Sequence, residues 1–267
     1  MKVGHLLRAL PTLFRVGFAE AVAYRAEMLV WILATTMPLV MLALWTAVAR
    51  QAPIGPFAEK DFIAYFLATL IVRQLTGSWA SWQLNFEVKN GALAARLLRP
   101  LPAVLSYAVD NLSALPMRLL VSVPVAIAGL VSVGRSILPS TAWGWLYLAL
   151  AVWGGWLITF LVNIAIGTLS FFMESSNKLM DVWMAAFLVF SGYLIPVELF
   201  PSRLRAVADL LPFRYQIGLP VEIFTSRHAQ GDALSLLARQ WLWVLLLGLL
   251  VHVLWRRGLR RFAAYGG

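Results

Sequence analysis

The strongest constraint in this sequence is a series of long apolar runs almost free of charge. Ala142 to Met173 contains no charged residue, and neither does Met28 to Ala49. About twenty apolar residues in a helix cross roughly 30 Å of hydrocarbon. Hydrophobic residues make up 61% of the 267 positions and charged residues 13%, where a soluble domain carries about 25% charge. The expected fold is therefore all-α: a polytopic membrane protein forming a single transmembrane domain over residues 1–267. Twelve tryptophans and seven tyrosines suit aromatic belts at the two interfaces.

Residues 1–27 read as an N-terminal amphipathic helix along the headgroups. Lys2, Arg8 and Arg15 recur there among Leu6, Leu7, Leu10, Leu13, Phe14 and Phe18. Arg8, Arg15, Glu20 and Arg25 interrupt any signal-peptide core. Six spans are expected. The first is Met28 to Ala49, with a kink at Pro38. The second is Asp61 to Trp82, and the third lies within Ala103 to Val133. Ala142 to Met173 holds one long or tilted helix, and Val182 to Ile195 and Gln240 to Trp255, the last extendable backwards past Arg239, complete the set. The loops are Arg50 to Lys60, the stretch with Gly134, Arg135, Pro139 and Ser140, and the turn Glu174 to Asp181. Residues 196–232 are cut by Pro196, Pro201, Pro212, Gly218 and Pro220, and read as short re-entrant helices on the outer side.

The net charge of +10 would suggest nucleic-acid binding in a soluble protein. Here the basic residues sit at the ends of apolar runs, so anionic lipid and the positive-inside rule account for them, and no nucleic-acid partner is expected. With the N-terminus inside, cytosolic segments hold twelve basic residues and the short outer loops three: Arg50, Lys60 and Arg135. Both termini are expected in the cytosol.

No catalytic residue and no metal site are expected. The sequence lacks the P-loop, H-E-x-x-H and G-x-S-x-G patterns. It has no cysteine, and His5, His228 and His252 lie in separate segments. The charges expected at depth are Arg73, Asp110 and Arg118. Arg73 has the polar neighbours Gln74, Thr76 and Ser78, which turn one face of its span toward protein or a water-filled path. It is either structural or part of a substrate path. Asp110 and Arg118, eight residues apart, read as a structural pair bridged by water or headgroup. Trp79 and Trp82 either anchor the interface or stack on a substrate. The candidate substrate path is thus Arg73 with Trp79.

The polar segment 87–100 runs Glu87-Val-Lys-Asn-Gly91-Ala-Leu93-Ala-Ala-Arg96-Leu97-Leu98-Arg99-Pro100. Gly91 opens a helix whose Leu93, Leu97 and Leu98 are expected on one face, and Pro100 stops it. Such a helix suits the membrane surface or a docking partner equally well. Asn90 to Leu101 resembles the coupling-helix region of ABC-2-type exporter permeases, in particular the bacterial six-span subgroup. Ser191 to Pro201, continuing through Leu211-Pro212-Phe213-Arg214-Tyr215, is similar to their outer re-entrant segment, and Tyr24-Arg25-Ala26-Glu27 to the start of their first span.

This resemblance implies a permease that moves an amphiphilic or hydrophobic substrate, of drug, lipid or glycan class, out of the cytosol or inner leaflet. It implies two partners besides membrane lipid: a separate ABC ATPase subunit, which holds ATP and Mg, and a second permease subunit. This chain itself would hold no cofactor. The implied ATPase-docking residues are Glu87, Gly91, Leu93, Arg96, Leu97 and Arg99, and the implied outer gate is Gly192, Pro196, Pro201 and Pro212. The implied location is the bacterial inner membrane. The alternatives are an ion-coupled secondary transporter, which needs deep acidic ion sites, or a non-transport scaffold. An intramembrane transferase would need convergent His, Asp or Glu residues.

Overall fold

A computed structural model describes residues 3–99, 101–133, 139–174, 176–227 and 230–265. Its regular elements are helices, with no strand among the described residues. In chain order they are α1 (Val3–Ala23), α2 (Arg25–Ala34), α3 (Met37–Ala49), α4 (Glu59–Thr76), α5 (Ala80–Lys89) and α6 (Ala92–Leu97). They continue as α7 (Ala103–Ser113), α8 (Leu115–Val133), α9 (Ala142–Thr168), α10 (Asn177–Phe190), α11 (Ser202–Leu210), α12 (Gly218–Phe224) and α13 (Gln230–Tyr265). Short 3-10 turns occupy Val197–Leu199 and Arg214–Gln216. The expected stop at Pro100, the loop residues Gly134 and Arg135, and His228 lie outside the described residues.

Several runs that read as continuous spans are interrupted. Met28 to Ala49 divides at Thr35–Thr36 into α2 and α3, two residues ahead of the expected kink. Pro38 lies in the first turn of α3, where its missing N–H costs nothing, and the Thr36 hydroxyl donates to the Leu33 carbonyl at 2.7 Å. Asp61 to Trp82 breaks at Gly77–Trp79, between α4 and α5. In the third run, Ala103–Leu120 and Ser122–Ala128 meet at 42°. Pro124 lies inside α8, where proline cannot donate to the carbonyl four residues back.

Among the described residues, two helices are long and apolar enough to cross a membrane, Ala142–Phe171 and Gly231–Phe262, or three if the bent pair counts as one. They pack along one another but meet different surroundings. In the apolar window of the first, 67% of residues are buried, against 28% in the second. A helix apolar all round that is also buried forms a core, and α9 is that core. α13 instead leaves Leu242, Leu245, Leu249 and Val253 exposed along one face. It extends backwards past Arg239 to Gln230, because Ala233, Leu236 and Leu237 form a buried stripe there. The second core helix is α4, in which Phe62, Tyr65, Phe66, Ala68 and Val72 are all buried.

Close approach between elements depends on small residues of α9. A Cβ on Gly155 would stand 2.9 Å from the Gln216 carbonyl and 3.2 Å from that of Tyr215. On α13, a Cβ on Gly248 meets nothing within 4 Å. Gly155→Ala is therefore expected to cost about 1–3 kcal/mol by overpacking against backbone that cannot move aside. It should lower the melting temperature of the detergent-solubilised protein by several degrees, while Gly248→Ala leaves it unchanged or slightly higher. A thermal melt followed by size-exclusion chromatography measures both.

Candidate functional site

The segment 87–100 folds around a buried ion cluster. Arg96 donates to Glu87 through Nε (2.8 Å) and Nη2 (2.7 Å), and through Nη1 to Asp110 (2.9 Å) and the Ser106 hydroxyl (2.7 Å). The Tyr107 hydroxyl donates to Glu87 at 2.6 Å, and its ring lies under the Arg96 guanidinium at 4.2 Å. Gln83 Nε2 adds a 3.2 Å bond to Asp110. Burial alone would lower the Arg96 pKa, but the hydrogen bonds and charges of Glu87 and Asp110 outweigh it and hold the group above its ordinary value. Arg96 stays charged, and its fork ties α6 to α5 and α7.

This geometry divides the expected docking residues into two sets. Glu87 and Arg96 are committed to the cluster, and Leu93 is fully buried beside Leu84 and Tyr107. Gly91 is exposed in a left-handed turn with φ of 77°, which favours glycine. Leu97, Leu98 and Arg99 are exposed, Leu98 by 88%. The expectation that Leu93, Leu97 and Leu98 share a face is corrected. At about 100° per residue, Leu98 lies on the far side of this short helix from Leu93. The partners Ser106 and Tyr107 carried no motif in the sequence, because only the packing of α7 beside α5 brings them to Arg96.

The charges expected at depth also separate. Asp110 pairs with Arg96, not with Arg118 as expected, because α7 turns it toward α6. Arg118, 6% exposed, donates through Nη1 to the carbonyls of Gln74 and Gly77 (both 3.1 Å) and through Nη2 to that of Asn111 (2.9 Å). It thereby closes the carbonyl side of the α4–α5 break. Trp79 lies under its guanidinium at 5.0 Å, and the Trp79 N–H donates to Asn111 Oδ1. Arg73 instead faces α10. Its guanidinium carbon is 5.1 Å from the centre of the Phe187 ring and 5.8 Å from that of Tyr193. Arg73 and Trp79 thus occupy adjoining but distinct surroundings.

The residues expected at the outer gate form a packed unit. Gly192 has φ of 83°, and a Cβ there would stand 2.6 Å from the Tyr65 hydroxyl, which donates to the Gly192 carbonyl at 2.8 Å. Pro196 and Pro212 are buried and Pro201 is exposed. Arg214, almost fully buried, pairs with Glu222 at 2.7 Å and also with Asp209. Arg227 reaches Asp61 at 2.9 Å and lies over the Phe57 ring. These contacts hold the short helices against α4 and α9.

Residues 26–266 match the model of the family described as ABC-2 family transporter protein. Among curated proteins, none matches the chain. The matched stretch takes in the Arg96 cluster, the Arg73–Arg118 region and the outer unit.

Arg96→Ala would strand Glu87 and Asp110. Breaking a buried pair costs about 3–5 kcal/mol, less here because about a third of the Asp110 side chain is exposed. The expected outcome is a fall of several degrees in melting temperature in detergent, against about a degree or less for Leu98→Ala. Equal shifts for the two variants would refute the structural role given to Arg96.

Proposed function

Because the chain belongs to the ABC-2 transporter family, we propose that it is the permease subunit of an ATP-driven exporter, powered by a separate ATPase subunit that docks on α6. The observation that carries this reading is the arrangement at α6. Leu97, Leu98 and Arg99 stand exposed at its tip, while the Glu87–Arg96–Asp110 cluster anchors its base to α5 and α7. A push on the tip cannot be absorbed by bending α6 alone; it must move α5 and α7 with it. Glu87, Leu93 and Arg96 act as the mounting of the docking element, Gly91 as its turn, and Leu97 and Arg99 as its contact, with Leu98 added.

Six crossings account for the helices. The pairs α2–α3, α4–α5 and α7–α8 each make one broken crossing, and α9, α10 and α13 make one each. An even number puts both termini on the same side, read here as the cytosol of a bacterial inner membrane, and the basic tail Arg256, Arg257, Arg260 and Arg261 supports that orientation. α1 lies along the inner surface as a second lever. The unit from Gly192 to Phe224 covers the outer end of α4 and gates it.

The working cycle is a population shift. ATP and Mg belong to the ATPase, and nucleotide binding there favours one arrangement of a permease pair through α6. The shift can be no larger than the difference in nucleotide affinity between the two arrangements. The second permease is another copy or a similar chain. The cargo class is an amphiphilic or hydrophobic molecule taken from the cytosol or inner leaflet.

The test is co-purification of a nucleotide-hydrolysing chain with the tagged permease from native membranes. Leu97→Asp combined with Leu98→Asp is expected to remove that partner about tenfold or more, with the helical circular dichroism unchanged, since two charges enter an apolar contact. Retention of the partner at the wild-type level refutes docking through α6.

A further inference from the structure

Among the described residues, the buried or half-buried arginines find different partners. Arg96, Arg214 and Arg227 each meet carboxylates, and Arg118 is taken up by three backbone carbonyls. Arg73 has neither. It forms no ion pair with a described carboxylate, and its surroundings are the rings of Phe187 and Tyr193. The nearby polar groups are neutral. The Tyr193 hydroxyl donates to the Thr35 carbonyl at 3.3 Å, and Gln74 Nε2 donates to the Thr35 hydroxyl at 2.8 Å.

Phe187 and Tyr193 are themselves nearly fully buried, at 1% and 4% exposure, yet Arg73 keeps partial access to the surface. The rings therefore wall the guanidinium, and the Tyr193 hydroxyl engages part of its fork; a single hydroxyl leaves further N–H donors of that fork for an incoming group. Arg118 adds to the positive field, since it donates to the carbonyl of Gln74, the residue next to Arg73. Two cations in a medium of low dielectric disfavour a third and favour an anion. Exposed apolar residues for a chain attached to that anion lie close in sequence to Thr35 and Phe187. The helix that ends at Ala34 carries exposed Leu33, and α10 carries exposed Val189.

We propose that Arg73, walled by Phe187 and Tyr193, binds the anionic headgroup of an amphiphile bearing a phosphate or carboxylate. The planar fork suits the two oxygens of such a group. That this amphiphile is the exported cargo rests on the export reading above; its binding at Arg73 does not.

The experiment titrates dodecyl phosphate into the purified protein in a neutral maltoside detergent and follows melting temperature. Inorganic phosphate and dodecyltrimethylammonium serve as comparison probes, and Arg73→Gln, Arg73→Lys and Arg239→Gln as variants. Dodecyl phosphate is expected to raise the melting temperature saturably, and the alkylammonium to have no such effect. Arg73→Gln should weaken binding about tenfold or more, since a charge-assisted bond is lost. Arg73→Lys should fall between, and Arg239→Gln, an exposed control, should match wild type.

Wild-type affinity in Arg73→Gln overturns the proposal, as does equal stabilisation by dodecyltrimethylammonium. If the glutamine variant is not monodisperse, the lysine variant decides, and wild-type affinity there overturns it. Equal competition by inorganic phosphate also overturns it, because the site then takes a free anion. Competition by phosphatidylglycerol in mixed micelles supports it and names a bilayer lipid as occupant, whereas binding that this lipid does not displace supports it with a non-lipid amphiphile. Arg73-dependent binding without an associated ATPase leaves the site standing and refutes export; an associated ATPase with Arg73-independent binding does the reverse.

Discussion

Hydrocarbon offers a broken helix no hydrogen bonds, so each interruption of a crossing has to be closed by side chains from elsewhere in the protein. The break between α4 and α5 shows how much of the fold follows from that. Its carbonyls, Gln74 and Gly77, accept from Arg118 of α8. Its N–H groups, Trp79 and Ser81, donate to Asn111 of α7 and Asn163 of α9. Three helices are thereby assigned their places around a single gap. The unit around Gly192 and Tyr215 repeats the device: the Tyr65 hydroxyl donates to the Gly192 carbonyl, Trp45 Nε1 to that of Leu194, and Gln240 Nε2 to those of Ala151 and Tyr215.

The same economy explains the charges. A buried arginine that fills such a gap, as Arg118 does, exchanges water for carbonyl dipoles and needs no acid. Arg96 and Arg214 instead join elements through carboxylates, and each fork fixes the relation of short helices that could not otherwise hold a position. α6 has only six residues, well below the length at which a helix is stable by itself. Its position is held by the ion cluster beneath it, which ties it to α5 and α7.

Arg73 differs because its neighbours are two aromatic rings and the Tyr193 hydroxyl, with no carboxylate among its described ion-pair partners. Aromatic rings compensate part of the cost of a buried cation, and the residue keeps partial access to the surface. A charge kept under those conditions has a use for an incoming partner, which sets it apart from the arginines that serve the fold.

Apolar runs, absent cysteines and the distribution of basic residues determined by themselves that this chain is helical and belongs in a membrane, because transfer to hydrocarbon depends on composition more than on arrangement. The glycine and proline positions also marked the broken stretch after Ile195 and the turn at Gly91. Where the helices break was less legible. The gap at Gly77 exists because Arg118, Asn111 and Asn163 close it from sites far along the chain, and no local pattern announces them. The pairing of Asp110 was misjudged for the same reason: spacing along one helix suggested Arg118, while packing across helices delivered Arg96. The sequence pointed to the right segment at 87–100, but only the tertiary structure decided which of its residues hold and which are offered. A side chain's periodicity says which face it shares; what that face meets is set by the neighbouring helices.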